Sequence, residues 1–165
     1  MLKLFWQRGG FAVEWVRTGG EPQQRGMHHI VYVSSATRLW SRTELFHLLD
    51  VCRRNNQRTG ITGILLYRDG NFMQAIEGEE PELRNLMRTI LLDPRHRDVI
   101  PLLDEPVPQR EFPEWTMAFR DLERPEYRDL PGFSDFLDAP LTATEFGGQP
   151  GRVRALLALF RRNIR

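Results

Sequence analysis

The sequence predicts an α+β fold: one five-stranded mixed sheet in the ferredoxin-like order βαββαββ, two helices on one face, and C-terminal helices after it. Three observations predict this. Runs rich in β-branched, aromatic and other apolar residues recur at 29–34, 60–67, 71–77, 99–106 and 114–120. Two stretches between them, after Ser41 and after Pro81, carry apolar residues at helical spacing. Asp69-Gly70 separates the second run from the third, as a hairpin turn does.

Taken in order, residues 1–26 read as an N-terminal extension foreign to the rest. Gly9 and Gly10 interrupt a basic, apolar start, and 18–26 is a polar, turn-rich linker. Met27 is the expected native start; the alternative is a short docking segment built on Phe11, Val13, Trp15 and Val16. Residues 29–34 read as the first core strand. Ser41 and Glu44 form a capping box, a hydroxyl and a carboxylate that satisfy each other's backbone donors. Leu45, Leu48, Leu49 and Cys52 then make a buried stripe, with Asn55 and Asn56 one turn further, on or beside it. Gly78 is expected to break the third strand. Pro81 suits a first helical turn, and Leu83, Leu86, Met87, Ile90 and Leu91 form the second stripe up to Asp93-Pro94. The 99–106 strand belongs at an edge, because Pro101, Pro106 and Pro108 do not suit a central one. A short helix is expected within 128–137 and a loop over 144–151. Val153, Leu156, Leu157, Phe160 and Ile164 then line one side of a terminal helix whose other positions hold five arginines, among them Arg152, Arg154 and Arg161. That helix is expected first to cover the open side of the sheet; meeting a partner or second subunit, or lying on an anionic membrane, are the other readings.

Composition excludes several classes. With 23 basic and 22 acidic residues the net charge is +1, which gives no global case for nucleic acid or an anionic membrane. The strands also lack an exposed aromatic stacking motif amid basic residues. Cys52 is the one cysteine, so no internal disulfide and no cysteine-based zinc site can form, and no metal site is expected. No apolar run approaches the roughly 20 residues of a membrane span. His28, His29 and His47 are read as carrying no special role, and no acid–base pair of carboxylates is evident.

Strand alternation gives the first functional clue. Phe72, Gln74 and Ile76 share one face, as do Ile30, Tyr32 and Ser34, and Trp115, Met117 and Phe119. If these faces lie under the helices, a phenol, an amide and an indole are buried, although whether Trp115 points inward is open. Burying an unpaired polar group costs about 1–3 kcal/mol. Such groups therefore close a structural network, or they line a slot for a planar, hydrogen-bonding aromatic ligand; the pattern alone weighs these evenly.

Six blocks, in order, resemble the BLUF family of blue-light sensors that use FAD: 30–36, Arg54-Asn55-Asn56, 60–67, 71–78, Asp93-Pro94-Arg95-His96 and Trp115-Thr116-Met117. The resemblance covers residues 28–122. It implies non-covalent FAD lying between the two helices. It implies that Tyr32 is the photoactive tyrosine and Gln74 the glutamine between it and the flavin. Asn56 matches the asparagine bonding the isoalloxazine edge, and Asn55 a neighbouring contact. Arg95 and His96 match positions beside the ring, with Asp93 in support. Trp115 and Met117 match the pair linked to signal output. Cys52 stands where a smaller residue is expected, and Thr89 where some relatives carry arginine. The resemblance implies electron and proton transfer from Tyr32 through Gln74, then rearranged hydrogen bonds at the flavin C4 carbonyl, without substrate turnover. It also implies a cytoplasmic protein that self-associates and acts on a separate effector protein, with 27–122 as the flavin-binding domain. Residues 123–165 are then an appendage too short for a fused effector. The competing reading is an acylphosphatase-like hydrolase on the same fold, which needs an Arg/Asn anion-binding loop before the first helix; none is seen.

Overall fold

The computed structural model describes residues 2–7, 10–15, 26–121 and 151–163. Ahead of the core, β1 (Leu2–Gln7) and β2 (Gly10–Trp15) pair antiparallel as a hairpin. The core follows as β3 (Met27–Ala36), α1 (Arg42–Thr59), β4 (Thr62–Arg68), β5 (Asn71–Glu79), α2 (Glu80–Leu91), β6 (His96–Pro106) and β7 (Ala118–Asp121). A terminal helix, α3, spans Gly151–Asn163. The expected linker at 18–25, helix at 128–137 and loop at 144–150 lie outside the described residues.

The five core strands form one sheet in the order β6-β3-β5-β4-β7, antiparallel except for the parallel pair β4–β7. This is the expected βαββαββ arrangement with a mixed sheet. The helix α1 starts at the Ser41–Glu44 capping box, worth about 1 kcal/mol, and ends at Gly60 in the left-handed region (φ 65°). Pro81 sits in the first turn of α2. Asp69 and Gly70 both take positive φ, 46° and 77°, the geometry a tight hairpin demands.

Two core layers result. On one face Ile30, Tyr32, Leu65, Phe72 and Ile76 pack with Leu45, Leu48 and Leu49 of α1 and Leu83 and Met87 of α2. On the other, Val31, Ile64, Leu66, Met73 and Ala75 pack with Val153, Leu157 and Phe160 of α3. The terminal helix thus covers the open side of the sheet, the first of its three expected roles.

Three expectations change. Gly78 does not break β5, which runs on to Glu79 in register with Met27. The last strand begins at Ala118, not at 114, because residues 112–117 turn instead of extending: the Trp115 N–H reaches the Phe112 carbonyl at 3.3 Å. And His28 and His29 do have work. Both are buried in β3, and alternation sends them to opposite faces. His28 Nε2 meets Asp104 Oδ1 at 2.6 Å, and Asp104 also takes Arg84 of α2 at 2.6 Å. His29 Nε2 meets Glu105 Oε1 at 3.2 Å, and Glu105 takes Arg152 of α3 at 2.7 Å. Burial lowers the His29 pKa against the pull of Glu105. The edge strand β6 therefore ties down one helix on each side of the sheet.

Candidate functional site

Register places Tyr32 of β3 directly opposite Gln74 of β5. Both point to the helix-covered face and both are buried, at 1% and 5% exposure. The Tyr32 hydroxyl donates to Gln74 Oε1. Gln74 Nε2 in turn donates to the Met117 sulphur at 3.2 Å. A thioether is a weak acceptor, so the glutamine amide has one strong partner and one weak one. Burial pushes the Tyr32 phenol far above its ordinary range, with Cys52 and Asp93 adding to the effect. The phenol therefore holds its proton at every physiological pH.

Asn56, on the last turn of α1, is buried. Its Nδ2 donates to the Thr116 carbonyl at 2.7 Å, and its Oδ1 takes no hydrogen bond among the described residues. Asn55 is exposed and not beside Gln74: of the two residues one turn past Cys52, the helix turns Asn56 inward and Asn55 out. Cys52 is partly buried against the same core layer, and burial pushes its thiol up to about 11.

Asp93, Arg95 and His96 lie at the start of β6, beside the end of β3. Asp93 and Arg95 form a two-pronged ion pair, at 2.8 and 2.6 Å, and Arg95 holds the Asp93 carboxyl below its usual range. The Arg95 guanidinium lies over the Trp40 ring, 5.7 Å from its centroid. His96 Nδ1 meets the Ser34 hydroxyl at 2.9 Å, and its ring tilts against Phe72. Burial lowers the His96 pKa, so it is a neutral imidazole at neutral pH.

Trp115 and Met117 do not share a face. Met117 packs on the helix side with Tyr32 and Phe119. Trp115 packs on the α3 side and stacks on Phe112, with ring centroids 6.1 Å apart. The turn at 112–117 breaks the alternation on which the shared face depended.

The family described as "BLUF: Sensors of blue-light using FAD" matches residues 27–118. The chain belongs to the BLUF family. Its BLUF domain is 40% identical over 90 residues to photoactivated adenylate cyclase subunit beta of Euglena longa, covering 54% of this chain and 10% of that protein. It is 34% identical over 83 residues to the blue light- and temperature-regulated antirepressor BluF of Escherichia coli K12, covering 50% of this chain and 21% of that protein. The chain thus spans about a tenth of the length of the cyclase subunits it matches. Among solved structures it resembles the dark state of BlrB, a BLUF protein, with a TM-score of 0.59 and 30% identity over 82% of this chain and 98% of that one. Klebsiella pneumoniae BlrP1 gives a TM-score of 0.66 and 28% identity over 83% of this chain and 34% of that one.

The BLUF domain is a blue-light-sensing, flavin-binding module, and its side chains suit a flavin. The polar edge of an isoalloxazine offers both donors and acceptors. Asn56 supplies an unfilled acceptor, and Gln74 an amide whose nitrogen is held only by sulphur. Around them Phe46 and Cys52 of α1 and Leu86 and Ile90 of α2 pack on the core yet stay partly exposed, apolar surface that a planar ring can cover. No group of three or more side chains suited to a metal occurs among the described residues. No described helix is long and apolar enough to cross a membrane.

Proposed function

We propose that this chain is a photoreceptor that holds FAD non-covalently on the helix-covered face, with Tyr32 as electron and proton donor and Gln74 as the relay. The observation that carries this is the buried chain from Tyr32 to Gln74 to Met117. When bound, a flavin absorbs blue light and in its excited state is a strong one-electron oxidant. Tyr32 is neutral, buried and already aimed at an acceptor, so its proton has a path when an electron leaves. The Gln74 oxygen is that acceptor. Its nitrogen, tied only to a thioether, can leave its partner at low cost, which suits an amide that rotates or exchanges its tautomer. Asn56 is suited to hold the polar edge of the ring, with His96 and the Asp93–Arg95 pair beside it; Asn55, being exposed, is suited only to an outlying contact.

On this reading the chain turns over no substrate. Residues 27–122 are the flavin domain, 1–26 an extension and 123–165 an appendage. The protein is cytoplasmic, self-associates and signals to a separate effector protein through changes at Met117 and Trp115. The hydrolase reading gains no support. Arg38, in the loop before α1, is engaged by Glu44, so it is not set up to cradle an anion.

Gln74→Leu tests the relay. The variant is expected to bind FAD and stay yellow, because Asn56 and the apolar walls remain, but to give no normal red-shifted photoproduct under blue light. A full shift in this variant contradicts the assignment.

A further inference from the structure

Two acidic residues that the Tyr32–Gln74 chemistry does not use, Glu77 and Glu111, meet where β5 faces the segment before β7. Glu77, three residues beyond Gln74 on β5, is fully buried. It accepts the Glu111 N–H at 2.9 and 3.0 Å, one contact to each oxygen, and the Phe112 N–H at 3.0 Å. Next to it the Arg110 guanidinium bonds the Glu77 backbone carbonyl at 3.1 Å, the Thr62 hydroxyl at 2.7 Å and the Gly60 carbonyl at 2.6 Å. The segment that starts at this anchor then runs to the photoactive face. Trp115 gives its carbonyl to the Gly63 N–H at 2.9 Å. Thr116 gives its carbonyl to Asn56. Met117 gives its carbonyl to Arg53 Nε at 3.0 Å and its sulphur to Gln74. One strand, β5, therefore holds both ends of residues 111–117: Glu77 at the start and Gln74 at the finish.

We propose that Glu77 is a positioning residue for the photoreaction: by holding Glu111 and Phe112 it sets the path of residues 112–117, and so how Met117 meets the Gln74 amide. This rests on the reading of Tyr32 and Gln74 given above.

Glu111 makes the anchor sensitive to pH. Its Oε2 is buried without a hydrogen-bond partner in a segment that lies against Glu77. Burial and the nearby Glu77 charge push the Glu111 carboxyl up to about 7, while Arg154 of α3 opposes them. Glu77 is itself raised by burial, but the Glu111 and Phe112 N–H groups, Arg110 and Thr62 favour its ionised form. The hydrogen-bond donors favour the negative charge on Glu77, which has them, and the proton on Glu111, whose Oε2 lacks them. Above neutrality Glu111 ionises, and a second negative charge beside Glu77 loosens the anchor.

The test uses the full chain as wild type, Glu77→Gln, Glu111→Gln and Tyr32→Phe. Without flavin, amide hydrogen exchange is read at residues 111–112 and 115–117. With FAD bound, the red shift and the dark-recovery rate are read from about pH 5.5 to about pH 8.5, spanning the Glu111 titration. In Glu77→Gln the expected result is faster exchange in both stretches and dark recovery quickened about tenfold, the scale of losing hydrogen bonds to a charged acceptor. In wild type, recovery has an inflection near neutral pH that Glu111→Gln removes. Recovery and shift that stay at wild-type values in Glu77→Gln, while exchange at 111–112 rises, overturn the proposal and leave Glu77 a structural anchor. If Glu77→Gln does not fold, Glu111→Gln decides: an inflection that persists in it overturns the role of the pair. A normal photoproduct in Tyr32→Phe overturns instead the photochemical reading beneath it.

Discussion

Tyr32→Phe is expected to bind FAD, fold and lose the red-shifted photoproduct entirely. The substitution removes one oxygen from a ring that is 1% exposed and packed on all sides, so the volume and the apolar contacts remain. What is lost is the hydrogen bond to Gln74 Oε1. Leaving that acceptor without its donor costs about 1–3 kcal/mol, a deficit that a folded domain of this size survives. The photochemical loss is far larger, because phenylalanine has no ionisable proton to release as the electron departs. Blue-light difference spectra, with circular dichroism to confirm the fold, give the result directly. A variant that still forms the normal shifted state removes Tyr32 from the mechanism and leaves the buried pair a structural hydrogen bond.

The largest effect on stability is expected at Gly63. A Cβ built there meets the Ala75 backbone oxygen at 2.1 Å, and the Ala75 carbonyl carbon and Ile76 Cα both at 3.1 Å. All three are backbone atoms of the neighbouring strand, so no side chain can rotate away. Gly63→Ala must push β4 from β5 and disturb the Gly63 N–H bond to Trp115. A cost of about 3 kcal/mol or more follows, at the upper end for overpacking. Gly60→Ala is the control: the helix C-cap residue has φ 65° but open space around it, so it bears only the left-handed backbone strain of about 1–2 kcal/mol. Chemical denaturation of the flavin-free proteins ranks them. Equal stabilities, or Gly63→Ala within about 1 kcal/mol of wild type, contradict this close β4–β5 packing. The same substitution also displaces the Trp115 carbonyl that precedes Thr116 and Met117, which ties this glycine to the segment that meets Asn56 and Gln74 as well as to the sheet.

A residue's place is legible in the sequence to the extent that its signal is local. Tyr32 and Gln74 were legible because strand alternation is strict and both lie within regular strands, two residues from large apolar neighbours on the same face. The capping box at Ser41–Glu44 and the Asp69-Gly70 turn were legible because their chemistry is complete within four residues. Trp115 was not, since alternation holds only while the chain stays extended, and residues 112–117 turn. Asn55 and Asn56 were both compatible with the α1 stripe, and only packing against Thr116 selects Asn56. The Glu77–Glu111 contact is between residues far apart in sequence, joined by the course of the segment before β7, so no spacing rule announces it. The contacts of His28 and His29 are hidden in the sequence for a similar reason. Their carboxylate partners sit on β6, whose pairing with β3 slips near Tyr32 and again near Ser34. The edge strand's irregular register cannot be read from its prolines alone.

In the proposed photocycle, light moves a proton and an electron through the Tyr32–Gln74 pair and the protein returns in the dark. The most direct measurement is the absorption spectrum of the full chain with FAD bound, taken before blue light, immediately after it, and through dark recovery. The expected result is a flavin band that shifts to the red on illumination and returns completely in the dark, cycle after cycle. A bound flavin whose band bleaches without shifting, or does not respond, contradicts it, as does purified protein that stays colourless after incubation with FAD.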